Sequence, residues 1–98
     1  MQFLVIAYDG TDDDAPARRA AHREAHFAGL PRLFDAGHLL TGGAMLNDDG
    51  VMIGSTAIMD FPSRADLDAW LASEPYVTGG VWRDITVHPF KVAGRAIA

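Results

Sequence analysis

The chain has 98 residues, of which 49% are hydrophobic, and its 13 acidic and 8 basic side chains give a formal net charge of −5. This balance predicts one globular domain over residues 1–98 and argues against a nucleic-acid partner, because phosphate binding needs a basic patch. The absence of cysteine excludes disulfides and thiolate chemistry. No run has membrane-spanning length and no signal-peptide pattern is present, so we expect a cytoplasmic protein without a membrane partner.

The first strand and the first helix are indicated by composition and turn signals. Residues 2–8 are rich in Val, Ile, Phe and Tyr on both faces, which predicts a strand covered on both sides. A helix is expected from Asp14, as N-cap, to about residue 36. Pro31 lies inside it and removes a backbone hydrogen bond, so a kink is predicted near residues 27–31.

The apolar stripe of this helix is formed by Phe27, Leu30, Leu33 and Phe34, and it is expected to meet the sheet. His26 lies one turn before Leu30, at the edge of the stripe. A titratable ring in that position can reach a pocket and still contact water. His26 is therefore a candidate acid or base, and the alternative is a histidine that bonds a backbone carbonyl and only packs.

Two further strands are expected to form a hairpin. Residues 38–45 contain Gly42-Gly43, which suggests a bulge or a close approach of another group to the backbone. Residues 47–50 read Asn-Asp-Asp-Gly, a strong hairpin-turn signal, and residues 51–61 follow as the third strand.

The second helix begins at Ser63, which has capping-box spacing to Asp66, and ends where Pro75 follows Glu74. A loop or a short helical turn comes next, and residues 81–91 are predicted as the last strand. Residues 92–98 are expected to be a loose tail or a contact with a partner subunit.

The predicted order βαββαβ is the ferredoxin-like α+β pattern. Right-handed crossovers place both helices on one face of a four-stranded antiparallel sheet. The other face would then be bare although it carries apolar side chains, so a homodimer formed through that face is the simplest expectation.

Several short segments, in their order and spacing, resemble the YciI-like (YCII-related) family. They are Arg23-Glu24-Ala25-His26, residues 35–40, Gly43, Gly54-Ser55, Glu74-Pro75-Tyr76, Gly80-Val81 and residues 87–90. The resemblance implies a dimeric α+β barrel fold akin to muconolactone isomerase and small cofactor-free monooxygenases. It also implies an active site on a His–Asp pair, in which His26 matches the histidine and Glu74 replaces the aspartate.

A carboxylate beside His26 would fix its tautomer and raise the basicity of the other ring nitrogen. Asp35 cannot supply it within one helix, because nine residues span roughly 13 Å. Glu74 is the better partner, although a helix kink or a second subunit would be needed to join it to His26. The alternative for Glu74 is a solvated residue before a helix-ending proline.

Other polar residues are candidates for ligand or metal binding. Arg23 or Ser55 would hold an anionic or carbonyl oxygen of a substrate, although Ser55 can also be a small packing residue. Tyr76 is expected to form a pocket wall or a dimer contact. His22 and His26 share a helix face but have no evident third ligand, so neither a metal nor another cofactor is predicted.

The sequence favours a cofactor-independent lyase, isomerase or hydrolase acting on a small polar or aromatic metabolite. His26 would move protons and Glu74 would orient it. Two alternatives stay open: a non-catalytic small-ligand-binding or regulatory dimer, and a subunit of a larger complex.

Overall fold

The computed structural model describes residues 1–94. Its elements, in chain order, are β1 (Gln2–Asp9), α1 (Ala15–Ala28), α2 (Leu30–Asp35), β2 (Leu39–Leu46), β3 (Met52–Asp60), α3 (Arg64–Ser73), α4 (Pro75–Thr78) and β4 (Trp82–Phe90). The strands form one antiparallel sheet in the order β2-β3-β1-β4. The predicted ferredoxin-like α+β fold is confirmed. Of the predicted tail, residues 95–98 lie outside the described part.

The long helix expected over residues 14–36 is two helices. α1 ends at Ala28, and α2 starts after Gly29 with a proline in its first turn. The break lies inside the segment predicted to kink. Asp14 occupies the N-cap position, but its side chain makes no capping hydrogen bond. In α3, by contrast, the hydroxyl of Ser63 accepts from the backbone N–H of Asp66 at 3.2 Å, as predicted.

The core lies between the sheet and the helices. Its larger cluster contains side chains from both layers, namely Phe3, Val5, Leu39, Met59, Phe61 and Leu67. A smaller cluster of Ala7, Tyr76, Val81 and Trp82 adjoins it near the C-terminal end of β1. The expected stripe of the first helix is only partly buried: Leu30 and Leu33 pack on the core, whereas Phe27 and Phe34 are about half exposed.

Strand β2 passes through Gly42-Gly43 without losing its pairing to β3, so no bulge lies at these two glycines. The register shifts lie at either side of them, between Leu39 and Thr41 and between Met45 and Leu46. The alternative suggestion, a close approach, applies to Gly42, where a Cβ atom would lie 3.1 Å from the carbonyl oxygen of Thr56. The hairpin turn is held by Asn47, whose side-chain oxygen accepts from two backbone N–H groups.

The two faces of the sheet follow strict alternation along β1. Val5 and Ala7 are buried towards the helices, and Leu4, Ile6 and Tyr8 point to the opposite face. In β4, Ile85 and Val87 pack against the helix-side core. Within residues 1–94, no helix is both long enough and apolar enough to cross a membrane.

Candidate functional site

A cavity of about 150 Å³ lies between the sheet and the first two helices. Most of its wall is apolar or aromatic. The polar and aromatic side chains that line it include Arg19, Arg23, His26, Ser55, Tyr76 and Trp82. Four of the five residues proposed from the sequence therefore border one space, and Glu74 lies behind the wall rather than in it.

His26 and Glu74 are hydrogen-bonded through Nδ1 of the ring and Oε1 of the carboxylate. Only 14% of the His26 side chain and 4% of the Glu74 side chain are exposed. A carboxylate can only accept, so Nδ1 carries the hydrogen and Nε2 is the basic nitrogen of the neutral ring. Both residues belong to one chain, so the pair does not need a second subunit.

The position of Glu74 follows from α4, which begins directly after it. Glu74 is the N-cap of this short helix, and Oε1 also accepts from the backbone N–H of Tyr76 at 3.2 Å. A cap residue keeps an extended backbone while its side chain turns back towards the helix start. The carboxylate is thereby directed at α1 instead of at solvent.

Aromatic rings hold the imidazole of His26 in place. It stacks on Tyr76 with centroids 4.0 Å apart and 9° between the planes. Trp82 and Phe27 meet it edge-on, at centroid distances of 5.8 and 5.5 Å. These contacts restrict rotation of the ring, so the geometry of Nε2 is preorganised.

Arg19 is the main polar residue that the sequence did not reveal. Its Nη1 donates to both carboxylate oxygens of Asp9, at 2.9 and 3.0 Å, and its Nη2 donates to Oγ of Ser55 at 2.9 Å. Nε1 of Trp82 donates to the same Oγ at 3.3 Å. Helical spacing would have indicated Arg19, since it lies seven residues before His26 on the same face of α1.

Arg23 and Tyr76 complete the polar surroundings. The guanidinium of Arg23 lies 5.0 Å from the ring centroid of Phe27, and no residue of the described 1–94 forms a salt bridge with it. Burial raises the pKa of Tyr76, and the positive charges of Arg19 and Arg23 act in the opposite direction. Its phenol therefore stays protonated in the neutral pH range, and the buried ring forms a cavity wall within this chain.

The remaining histidines of the site region do not point to a metal. The ring of His22 rests on Gly79, where a Cβ atom would lie 2.6 Å from it. His38 bonds the carbonyl of Asp60 and stacks on Phe61, which is a packing role. Among the described residues, no three His, Cys, Asp or Glu side chains are grouped as possible metal ligands.

Comparison with known proteins gives matches over nearly the whole chain. The family model described as YCII-related domain matches residues 1–91. The protein YciI of Escherichia coli is 39% identical over 95 residues, which cover 91% of this chain and 97% of that protein.

Two solved structures share the fold. The 5-chloro-2-hydroxyhydroquinone dehydrochlorinase TftG from Burkholderia phenoliruptrix AC1100, in complex with 2,5-dihydroxybenzoquinone, has a TM-score of 0.80 and 26% identity and covers 93% of this chain and 94% of its own. A dimeric ferredoxin-like protein of unknown function from Jannaschia sp. CCS1 has a TM-score of 0.57 and 16% identity, with 93% and 98% coverage. The second likeness concerns the fold alone.

Proposed function

The chain belongs to the YCII-related family, and from this premise we propose that it is a cofactor-independent enzyme in which His26 transfers protons on a small oxygenated ring. The observation that carries the proposal is the His26–Glu74 pair at the wall of a ring-sized cavity. A histidine whose other nitrogen is held by a buried carboxylate is the usual design of a protein general base.

The two side chains have different roles in this proposal. Nε2 of His26 takes a proton from a hydroxyl group of the ligand and can return it to a ring carbon. Glu74 stabilises the imidazolium that forms between these events, because its charge lies next to Nδ1. General acid–base catalysis of this kind contributes typically 10²–10⁴-fold to a rate.

The size and lining of the cavity support a single six-membered ring as ligand. Engineered apolar cavities of roughly 150 Å³ bind benzene, and this cavity has about the same volume. The dehydrochlorinase neighbour is in complex with a dihydroxybenzoquinone. Tautomerisation of a hydroxylated ring is therefore the reaction class that we assign, with Arg23 placed to attract an anionic ligand. Where the protonated ring carbon bears a halogen, loss of a second hydroxyl proton to Nε2 breaks the carbon–halogen bond, and halide and a quinone leave.

We also propose that the working form is a homodimer joined through the outer face of the sheet. Leu4, Ile6, Tyr8 and Ile58 contribute to that face, and the helices leave it uncovered. Covering such a surface by a second copy removes apolar area from water. The Jannaschia neighbour is described as dimeric.

The test uses 5-chloro-2-hydroxyhydroquinone and follows chloride release together with absorbance of the quinone product. We expect turnover by the wild-type protein and a loss of 10²–10⁴-fold in His26→Gln. His22→Gln is the matched control, since it changes the same residue type one turn earlier on α1 and does not border the cavity.

Unchanged turnover in His26→Gln would overturn the proposal. Binding of 2,5-dihydroxybenzoquinone without turnover of chlorinated or unchlorinated hydroxyhydroquinones would instead favour the alternative of a non-catalytic ligand-binding or regulatory dimer.

A further inference from the structure

We propose that Ser55, held by Arg19 and Trp82, forms a binding position for an acceptor oxygen of the ligand, such as a phenolate, an enolate or a carbonyl. This inference rests on the proposed function only in using the same cavity. Ser55, Arg19 and Trp82 would recognise the ligand without transferring protons, and they would select ligand oxygens that accept a hydrogen bond.

The hydroxyl group of Ser55 has only its hydrogen left to form a further hydrogen bond. A serine hydroxyl has two lone pairs and one hydrogen. Arg19 Nη2 and Trp82 Nε1 both donate to Oγ, so both lone pairs are used. The hydroxyl hydrogen has no acceptor among the residues that the structure describes, and Ser55 borders the cavity. The hydroxyl is therefore a donor towards whatever occupies the cavity.

The two side chains that donate to Ser55, Arg19 and Trp82, are themselves held in place. Arg19 forms a buried ion pair with Asp9, and only 10% and 5% of the two side chains are exposed. The planar guanidinium reaches Asp9 and Ser55 at once, which a lysine ammonium cannot do with the same geometry. Trp82 is buried in the core cluster beside Tyr76. Arg19, Asp9 and Trp82 are thus positioning residues for Ser55.

The consequence is selectivity by donor and acceptor type. A ligand group that needs to donate finds no free lone pair at Ser55, whereas an acceptor oxygen receives its hydroxyl hydrogen. Accepting two N–H bonds also polarises the hydroxyl and strengthens its own donation. A ligand oxygen that bears negative charge gains most, because hydrogen bonds to ionised acceptors are the strongest.

The experiment measures equilibrium binding by calorimetry for two probes. 2,5-Dihydroxybenzoquinone carries acceptor oxygens, and toluene fills a ring-sized apolar space without them. In Ser55→Ala we expect quinone binding to weaken roughly tenfold or more, while toluene binding is unchanged. Ser63→Ala is the control, because it removes a hydroxyl at the start of α3 that does not border the cavity.

A second variant tests the positioning role. Trp82→Phe keeps an aromatic ring in the wall but frees one lone pair of Ser55. Hydroquinone presents donor hydroxyls, so its affinity relative to that of 2,5-dihydroxybenzoquinone should then rise severalfold. A residue that only packs would change both affinities alike.

Three results would overturn the inference: quinone binding that is unaffected by Ser55→Ala, an equal loss for toluene, or no quinone binding by the wild-type protein. The result of this binding experiment does not depend on the result of the proton-transfer test. His26→Gln is expected to lose turnover, but Ser55→Ala should still weaken quinone binding when it is added to that variant.

Discussion

The side chains of His26 and Glu74 are hydrogen-bonded within one subunit, although 48 positions separate them in the chain. The contact exists because Glu74 caps α4 and so turns its carboxylate back towards α1. One carboxylate oxygen therefore serves the fold and the proposed chemistry together, and changes at this residue should separate the two.

We predict that Glu74→Gln keeps the fold and loses the function. An amide oxygen still accepts from Nδ1 of His26 and from the backbone of Tyr76, but it carries no charge to stabilise an imidazolium. Turnover should fall roughly 10²-fold or more with little change in thermal stability. Glu74→Asp should still cap α4, because aspartate is a preferred N-cap residue, but its shorter arm leaves the buried Nδ1–H of His26 unpaired and should destabilise the protein by about 1–2 kcal/mol. Denaturation and rate measurements on both variants check this, and an Asp variant as stable as the wild type would contradict it.

The buried pair of Asp9 and Arg19 should be important for stability. Asp9→Asn leaves the guanidinium buried without its counter-charge, and we expect a loss of about 3 kcal/mol in the free energy of unfolding. Urea denaturation at neutral pH measures it. A loss no larger than that of a surface substitution would show that the network is not needed for folding.

Asp12 and Arg18 supply the matched control, since they form an exposed ion pair. The hydrogen bond from Arg18 lowers the pKa of Asp12 from its usual 3.8. A lowered folded-state pKa means that any stabilisation is present above pH 3.8 and is lost as the pH falls through the folded value. Asp12→Asn should therefore have a small effect at neutral pH that salt diminishes and acid removes.

Gly54 should not tolerate a side chain. A Cβ atom there would lie 2.4 Å from the carbonyl oxygen of Ala7 and 2.6 Å from the methyl group of Met45. The carbonyl belongs to the neighbouring strand and cannot move away, so Gly54→Ala should cost about 1–3 kcal/mol or more. Gly43→Ala, where a Cβ atom meets nothing within 4 Å, should leave the denaturation midpoint near that of the wild type. Equal midpoints for the two variants would contradict the packing at β1.

Alkaline pH should destabilise the protein through Tyr76. Burial raises the pKa of this phenol above its usual 10.0. Because its pKa is raised in the folded state, the neutral phenol contributes to the free energy of unfolding. This contribution is complete below pH 10 and is lost as the pH rises through the folded-state pKa. The free energy of unfolding should thus fall more steeply above pH 10 in the wild type than in Tyr76→Phe. Parallel pH profiles for the two proteins would argue against a desolvated phenol.

Neighbouring residues of β1 should respond in opposite ways to a charge. Ile6→Glu places it on the outer face, where we expect a folded monomer, and Val5→Glu places it in the core, where we expect unfolding. Light scattering and circular dichroism distinguish the two results. A dimer mass for folded Ile6→Glu, or a monomer mass for the wild type at micromolar concentration, would exclude this interface.

Features with local causes were predictable from the sequence. The hairpin turn depends on Asn47 and its neighbours, and the start of α3 depends on Ser63, so both could be identified from short segments. The placement of both helices on one face of the sheet followed from the handedness of crossovers. Asp14 shows the limit of such rules, because a capping residue type at the right position does not guarantee the hydrogen bond.

The assembly of the site could be predicted only in part. Glu74 was predicted as the better carboxylate partner of His26, with a solvated residue as the alternative. Their contact depends on α4, a four-residue helix too short to give a periodic signal. Asp9 directly follows the predicted strand of residues 2–8, and aspartate before glycine is typical of turns. Its burial, and with it the role of Arg19, depends on contacts between residues far apart in the chain.

The shared oxygen of Glu74 gives the protein an internal spectroscopic reporter. Oε1 accepts from both His26 and the backbone N–H of Tyr76. When the imidazole gains a proton, the electron density that this oxygen offers to the Tyr76 amide changes. The nitrogen and hydrogen chemical shifts of that single amide should therefore follow the charge on His26. A ligand that gives a proton to the ring or takes one from it would be visible without a dye or other reporter group on either molecule.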